Sequence, residues 1–413
     1  MPADAPNNPP SIWSRTFAVL FIVNLFQQVG QALTNTLVPL YAYSLGANAA
    51  VVGFSVGAFA CTALLVRPFA SPGFDSFSKK WFFFASLIVL TVASVLYGFA
   101  TTVPAVIGVR LLHGVAMGCS GPLALALVTE VLPHDRMASG VSTFTLTSAF
   151  SMAVGPASGI ALADIVGYRW TFIAAGIAIG ISTLLVLTIK EPQGRTRPPY
   201  KLALSRCFAK EAVPPALLTC IFTSANASIM SFVVIYGGLR DVGQVGLFFT
   251  VNAIGLLVFR PFFGRLADRI GAARVIIPAL VVYACVYLIL SQATQLWMFL
   301  LAAIVSSCSY GVCTPLFQAL AMSSVPRSRS GAASSTNFTG LDLSQLIGPA
   351  GAGAIAEHFR STTGSEVMGY SRMYLVLMFV VLAGLAFFCC IRKRIDRNVA
   401  AATAQNEANR AAL

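Results

Sequence analysis

Charge is scarce in this chain. Charged residues make up 10% of its 413 positions, against roughly 25% in an average soluble domain. No Asp, Glu, Lys or Arg stands between Arg15 and Arg67, and none from Val275 to Pro326. Each interval is too long for one membrane span at about 20 residues per helix, and fits two helices with a short turn. A soluble domain is excluded. Ten-residue segments of alternating hydrophobicity are absent too, which argues against a membrane β-barrel. The nine cysteines show neither metal-ligand spacing nor a disulfide framework. Almost all fall in apolar runs, where a free cysteine serves as a small packing residue. No phosphate-binding loop is present, so ATP drive is not expected. No nucleophile–base pair or metal cluster marks an enzyme, and no cofactor is expected. The stretch 1–10 is polar and Pro-rich, lacks the basic region and cleavage site of a signal peptide, and reads as a disordered cytoplasmic tail.

What the chain has is a 57% hydrophobic composition and a repeat at an offset of 193 residues. Arg67-Pro68-Phe69 recurs as Arg260-Pro261-Phe262, Asp75 as Asp268, Gly118 and Pro122 as Gly311 and Pro315. Pro133 and Arg136 recur as Pro326 and Arg329, and Gly155-Pro156 as Gly348-Pro349. One offset without drift over half the chain indicates a duplicated unit. In a membrane chain, two such halves form one transport path between them.

The apolar runs predict twelve spans, at 13–43, 48–70, 80–101, 104–131, 138–164 and 168–190, then 207–237, 242–263, 273–294, 296–323, 331–358 and 370–393. The fold class is therefore all-α and polytopic: a cytoplasmic N-tail (1–12), a six-helix bundle (13–190), a linker (191–206), a second bundle (207–393) and a cytoplasmic C-tail (394–413). The tail beyond Arg397 is Ala- and Asn-rich and shows no packing face, so a disordered or frayed end is expected. The net charge of +13 could suggest nucleic acid. Its placement argues otherwise. Both tails and the loops after even-numbered spans hold twenty Lys and Arg residues, whereas the opposite loops hold four, Arg169, Arg240, Arg360 and Arg372. That bias sets orientation in the bilayer, with both termini cytoplasmic, and leaves no nucleic-acid partner.

Polar residues inside the spans are the candidate site. Asn24, Gln28, Gln31 and Asn35 follow at steps of four, three and four, so they share one helical face. Amides facing lipid would lose their hydrogen bonds; the stripe faces either a water-filled cavity or a neighbouring helix that it holds. Ser224 and Ser228 stand at the matching positions of span 7. Arg110 and His113 lie about one turn apart on span 4. A charge at that depth is a functional candidate, and the alternative is a structural arginine on carbonyls of a neighbouring helix. His113 is either a packed histidine or a proton participant. Asp342, with Phe338, Gln345 and Pro349 on its face, lies some 16 Å from the near end of span 11 at 1.5 Å per residue. Ionised Asp at mid-membrane is costly, and desolvation disfavours the charged carboxylate, which suits a group that loads and releases a proton. A helix–helix polar contact is the other reading. Its repeat mate is Ala149, so the acid belongs to one half only. Tyr310, Thr314 and Gln318 form another stripe in span 10. Glu130, Asp164 and Glu357 stand at span ends, where caps or gate ion pairs are expected.

These motifs resemble the major facilitator superfamily over essentially the whole chain. The family's loop motif, Gly-x-x-x-Asp-(Arg/Lys)-x-Gly, is matched by Gly264-Arg265-Leu266-Ala267-Asp268-Arg269-Ile270-Gly271. The first-half copy keeps Asp75, Lys79 and Lys80 but has Ser71, Ser76 and Ser78 at other motif positions. Arg110-Leu111-Leu112-His113-Gly114 is similar to the family's span 4 pattern, with His113 in place of Gln. Gly155-Pro156-Ala157-Ser158-Gly159 resembles the span 5 motif of proton-coupled exporters, with Ser151 at its first Gly position. The exporters' frequent acid in span 1 is absent. The resemblance implies a monomeric secondary transporter in the inner (plasma) membrane, exporting a small organic molecule against protons by alternating access. Small residues allow close helix approach, and a Gly-Pro pair loosens the helical ladder. The expected gate is Arg67, Asp75, Arg136, Gly155, Pro156, Arg260, Asp268, Arg329, Gly348 and Pro349. Asp342 and Arg110 would handle protons, and the stripes of spans 1, 7 and 10 with Arg110, His113 and Gln345 would contact substrate. An importer or facilitator of a polar metabolite is the alternative; a channel or a membrane sensor is more remote.

Overall fold

The computed structural model describes residues 13–132, 137–189, 209–326 and 330–411. Among them there is no β-strand. The helices are α1 (Arg15–Ser44), α2 (Ala49–Ser76), α3 (Lys79–Tyr97), α4 (Val103–Val131), α5 (Met137–Val186), α6 (Val213–Leu239), α7 (Leu247–Ile270), α8 (Ala272–Gln292), α9 (Leu296–Ser323), α10 (Ser330–Thr363) and α11 (Glu366–Ala411). Eleven helices make twelve spans because α5 holds two. At Gly167 its backbone turns to φ 82° and ψ 162°, a region open in practice to glycine alone, and the limbs 137–166 and 168–186 run in opposite directions. Among the described residues nine helices are long and apolar enough to cross a bilayer, α5 among them with a 44-residue apolar stretch. Helix α7 adds a shorter apolar segment, Leu247–Phe259, and α10 carries the polar residues of span 11.

Local chemistry starts these helices where the apolar runs begin. The Ser14 and Ser78 hydroxyls accept from the backbone N–H groups of Phe17 and Trp81 at 3.1 and 3.3 Å. The Asn48 carboxamide oxygen accepts from Val51 at 3.0 Å. Such caps satisfy donors that a helix leaves open in its first turn. Pro104 and Pro214 stand in the first turns of α4 and α6, where the missing N–H costs nothing.

The end of the chain differs from expectation. Helix α11 does not stop at residue 393 but continues to Ala411. Ile395 and Ala402 are buried and Val399 packs on the second-half core, so the tail does have an inward stripe at steps of four and three. Asn398 Nδ2 donates to the Glu211 carbonyl at 3.4 Å, docking this helix on the 3-10 turn Lys210–Ala212. The eight described cysteines are free, and Cys285, Cys389 and Cys390 are exposed on the helix surface rather than packed inside.

Packing repeats with the sequence. Helix α1 lies on α5 as α6 lies on α10; α2 on α4 as α7 on α9; α3 on α4 as α8 on α9; and α3 on α5 as α8 on α11. These are two pseudo-symmetric six-helix bundles. One contact shows how closely they correspond. A Cβ on Gly114 would lie 2.1 Å from the Thr62 hydroxyl, and one on Gly255 would lie 2.0 Å from the Ser307 hydroxyl. Residues 62 and 114 shifted by 193 are residues 255 and 307. The same crossing thus needs one glycine in each half, placed on opposite partners.

The halves meet chiefly along α2 and α10, and between α5 and α7. The α2–α10 seam is antiparallel and follows one register. Gly353 abuts the Ala49 carbonyl, Gly53 abuts the Pro349 carbonyl, and Gly57 abuts the backbone of Gln345 and Leu346. Glycine and alanine let the two backbones touch, the usual device where lipid leaves no hydrophobic drive for helix association. All three contacts lie toward the membrane face opposite the chain termini, called here the far face. Gly246 on Ile160 adds a further contact there. Among the described residues no comparable packing joins α4 to α9 or α10.

Candidate functional site

At its inner end the seam changes from glycine to charge. Arg67 on α2 forms an ion pair with Asp342 on α10, and its guanidinium lies 5.9 Å from the Phe338 ring centre. Both side chains are mostly buried, at 22% and 14% relative exposure, so the pair interacts at a lower effective dielectric than a surface pair. The sequence suggests separate parts for Arg67 and Asp342, one in the gate and one in proton handling; the structure joins them across the two halves. Pro349 and Gly348, two turns further along α10, sit on the same assembly. Gly348 abuts Ser224 of α6 and Pro349 offers its carbonyl to Gly53. In the first half Gly155 abuts Ala32 of α1 in the corresponding place, one residue before Pro156, which lies inside α5.

Among the described residues Arg110 is the largest fully buried side chain, at 1% exposure. Its NH1 donates to Asn35 Oδ1 at 2.8 Å, and Nε and NH2 both donate to the Val56 carbonyl at 3.2 Å. The Phe59 ring centre lies 4.8 Å from the guanidinium carbon. These partners are all neutral. The repeat places a weaker echo of this contact in the second half, where Asn252, the mate of Phe59, donates to the carbonyl of Ala303, the mate of Arg110, at 3.2 Å. His113 is fully buried beside Tyr97, ring centres 6.0 Å apart, with no hydrogen-bond partner on either nitrogen.

The span 1 stripe divides by depth. Asn24 Nδ2 donates to Thr147 Oγ1 at 2.5 Å and Gln28 Nε2 donates to Ser148 Oγ at 2.9 Å, so both amides hold α1 to α5. Asn35 serves Arg110. Gln31 is buried with its Nε2 unmatched, and so is Gln27 with its Oε1. Gln27 stands off the 24, 28, 31, 35 spacing, so helical periodicity does not single it out. Ser228 returns its hydroxyl to the Ser224 carbonyl at 2.9 Å, and Thr314 to the Tyr310 carbonyl at 3.1 Å. Tyr310 stacks on Phe222 at 5.6 Å and 12°. Gln318 and Gln345 are half-buried. Of the remaining gate residues, the side chains of Asp75, Arg260 and Asp268, and Arg136 and Arg329 entirely, lie outside the described residues. Glu130 pairs with Lys79 at 2.5 Å, and Glu357 with Arg360 at 2.5 Å, ion pairs at span ends as expected for those acids.

Comparison with known proteins agrees with this architecture. The family model described as Major Facilitator Superfamily matches residues 20–243 and again 216–412. An uncharacterized MFS-type transporter of Methanocaldococcus jannaschii is 22% identical over 388 residues, covering 91% of this chain and 98% of that protein. The multidrug resistance protein MdtG of Enterobacter lignolyticus is 23% identical over 397 residues, covering 92% of each. Among solved structures, a mutant of the nucleoside transporter NupG superposes with a TM-score of 0.76 at 13% identity, over 91% of this chain and 99% of that one. With the duplicated bundles, the glycine seam and the family match in agreement, the chain belongs to the Major Facilitator Superfamily and is a multi-pass membrane transporter.

Proposed function

We propose that this transporter exports a small organic molecule in exchange for protons, and that Asp342 carries the coupling. The Arg67–Asp342 ion pair across the seam carries this reading. Deprotonated Asp342 attracts Arg67 and ties α2 to α10. A proton on Asp342 removes the charge, releases Arg67 and loosens the inner end of the seam. Breaking one partner of a buried pair is worth about 3–5 kcal/mol, comparable with the roughly 5.5 kcal/mol that inverts a two-state equilibrium from 1:99 to 99:1. The site therefore links proton occupancy to which face is open, the requirement for alternating access. The MdtG relatives, named for multidrug resistance, support export. The Lys and Arg bias supports cytoplasmic termini in an inner membrane. With that orientation, the sealed far face and the unpacked α4–α9 side support an inward-open reading of this conformation, and a monomer is what the family resemblance implies.

The test is liposome transport against a panel of drugs and metabolites with an imposed pH gradient. Asp342→Asn should keep solute binding and lose uphill movement, while Arg67→Gln, which frees the acid, should keep a pH-dependent flux with weakened coupling. Uphill transport driven by the pH gradient in Asp342→Asn would overturn the assignment. A second reading has one observation in its favour: among the described residues, buried Arg110 meets only neutral partners, as would suit a polar anionic solute. In that case flux persists after the proton gradient is collapsed and saturates with an organic anion.

A further inference from the structure

The second bundle carries a cavity of about 360 Å³ at the end where the chain terminates. That volume falls within the roughly 300–1,000 Å³ of small-molecule sites. The α7–α8 turn, the last turn of α9 and the continuation of α11 enclose it, and no residue of the α2–α10 seam lines it. Its walls divide by chemistry. Ile270, Leu320, Phe388 and Ile395 form an apolar side. Arg274 and Arg392 also line it, with Asp396 the one acid in the lining.

The two arginines stand at one depth. Helix α8 has 21 residues, about 30 Å at 1.5 Å per residue, which matches the hydrocarbon thickness of a bilayer. Arg274, in its first turn, therefore lies at the bilayer boundary. It directly precedes the charge-free run 275–326, and Arg392 directly follows the charge-free run 373–391. Both mark the level of the lipid headgroups on the face that carries the chain termini. Positive charge collects there: Arg269, Arg274, Arg392, Lys393, Arg394 and Arg397 stand against Asp268 and Asp396. Neither lining arginine is saturated by protein. Arg392 Nε lies 3.8 Å from Asp396 on its own helix, both side chains well exposed, and such a pair holds its partners weakly. Among the described residues Arg274 donates only to the Ile270 carbonyl, at 3.4 Å.

We propose that this cavity binds the headgroup of an anionic phospholipid from the leaflet on the termini side. The phosphate lies between Arg274 and Arg392, whose planar guanidinium groups suit phosphate oxygens. The glycerol and the first acyl carbons lie against Leu320 and Phe388. One ligand then uses both sides of the lining. Inorganic phosphate would leave the apolar side idle, and a zwitterionic lipid would bring its own cation up to two others. The phosphate also ties the α7–α8 turn to α11, which no ion pair does among the described residues. It thereby clamps the tail helix that packs on the second bundle through Ile395. The site stands apart from the transport path, so it does not depend on what the protein carries or in which direction.

Native mass spectrometry of the full chain in detergent, titrated with phosphatidylglycerol or phosphatidylethanolamine, tests the site. The parent should retain one phosphatidylglycerol in preference to phosphatidylethanolamine. Arg274→Gln combined with Arg392→Gln should weaken that binding about 30-fold, at about 1 kcal/mol per arginine near an anionic headgroup. Arg169→Gln combined with Arg372→Gln removes the same charge from the far-face loops and should leave it intact. Equal retention of the two lipids by the parent, or equal losses in the two double variants, would overturn the proposal. Displacement of phosphatidylglycerol by equimolar inorganic phosphate or glycerol 3-phosphate would assign the cavity to a soluble anion and overturn the lipid. Amide exchange of the parent needs no substitution. Phosphatidylglycerol at ten times its dissociation constant should slow exchange over residues 395–405 about tenfold, with α3 unchanged, and an unaltered tail would refute the clamp.

Discussion

Replacing Gly53 with alanine puts the tightest point of the seam to the test. The added Cβ would lie 2.0 Å from the Pro349 carbonyl oxygen, 2.6 Å from its carbonyl carbon and 3.1 Å from Ala350 Cα. All three atoms are backbone within a helix, so no side chain can rotate away. Ordinary contact begins at 3.4 Å, and α2 must draw back from α10 by about 1.4 Å to restore it. Overpacking of this kind costs about 1–3 kcal/mol, and it falls only on the state in which the far face is sealed. A penalty near 2 kcal/mol shifts the ratio of sealed to open molecules about 30-fold. Spin labels at residues 101 and 294, exposed loop positions related by the repeat, report the separation of the halves at the far face by double electron–electron resonance. Gly53→Ala should add a longer-distance population that the parent lacks. Gly108→Ala is the control, because a Cβ there meets nothing within 4 Å. If Gly53→Ala gives the parent distance distribution, the seam is not a rigid stop, and the argument from backbone contact fails.

Four further outcomes follow from the same geometry. Asp342→Asn should retain solute binding and lose pH-driven uphill flux in liposomes. Thr147→Val removes the acceptor for Asn24 and should lower stability by about 0.6 kcal/mol, the average for interhelical hydrogen bonds in a membrane protein, read by unfolding in mixed micelles. Gly167→Ala meets no neighbour but forces a side chain into a glycine-only backbone region, so it should cost about 1–3 kcal/mol while single-turnover substrate binding is unaffected. Ile395→Asp should release the tail helix from the second bundle. Amide exchange over residues 395–405 should then rise at least tenfold, with the exchange of α8 and α9 unchanged.

The packing also explains why the repeat has survived without residue identity. At the Gly114–Thr62 and Gly255–Ser307 contacts the requirement is for one missing side chain per crossing, and either helix can meet it. Asp342 has no such mate, since residue 149 is alanine. The two bundles therefore correspond in packing and differ in chemistry, at the seam through Asp342 and inside the first bundle through Arg110, whose mate is Ala303.

The sequence by itself determined the membrane class, the twelve spans, the duplication and the list of polar residues within spans. Those follow from run length, charge placement and a fixed offset, all of which are local or periodic quantities. It could not say which polar residues face each other. Asn24 and Gln28 belong to a stripe shared with Asn35, yet the first two bind α5 and the last binds Arg110, because α1 crosses different helices at different depths. The inward stripe of the tail was too weak in an Ala-rich segment to be read until the Glu211 turn supplied its partner. Tertiary structure alone brought Arg67 to Asp342, 275 residues apart in the chain, because that contact depends on how two separately folded bundles dock.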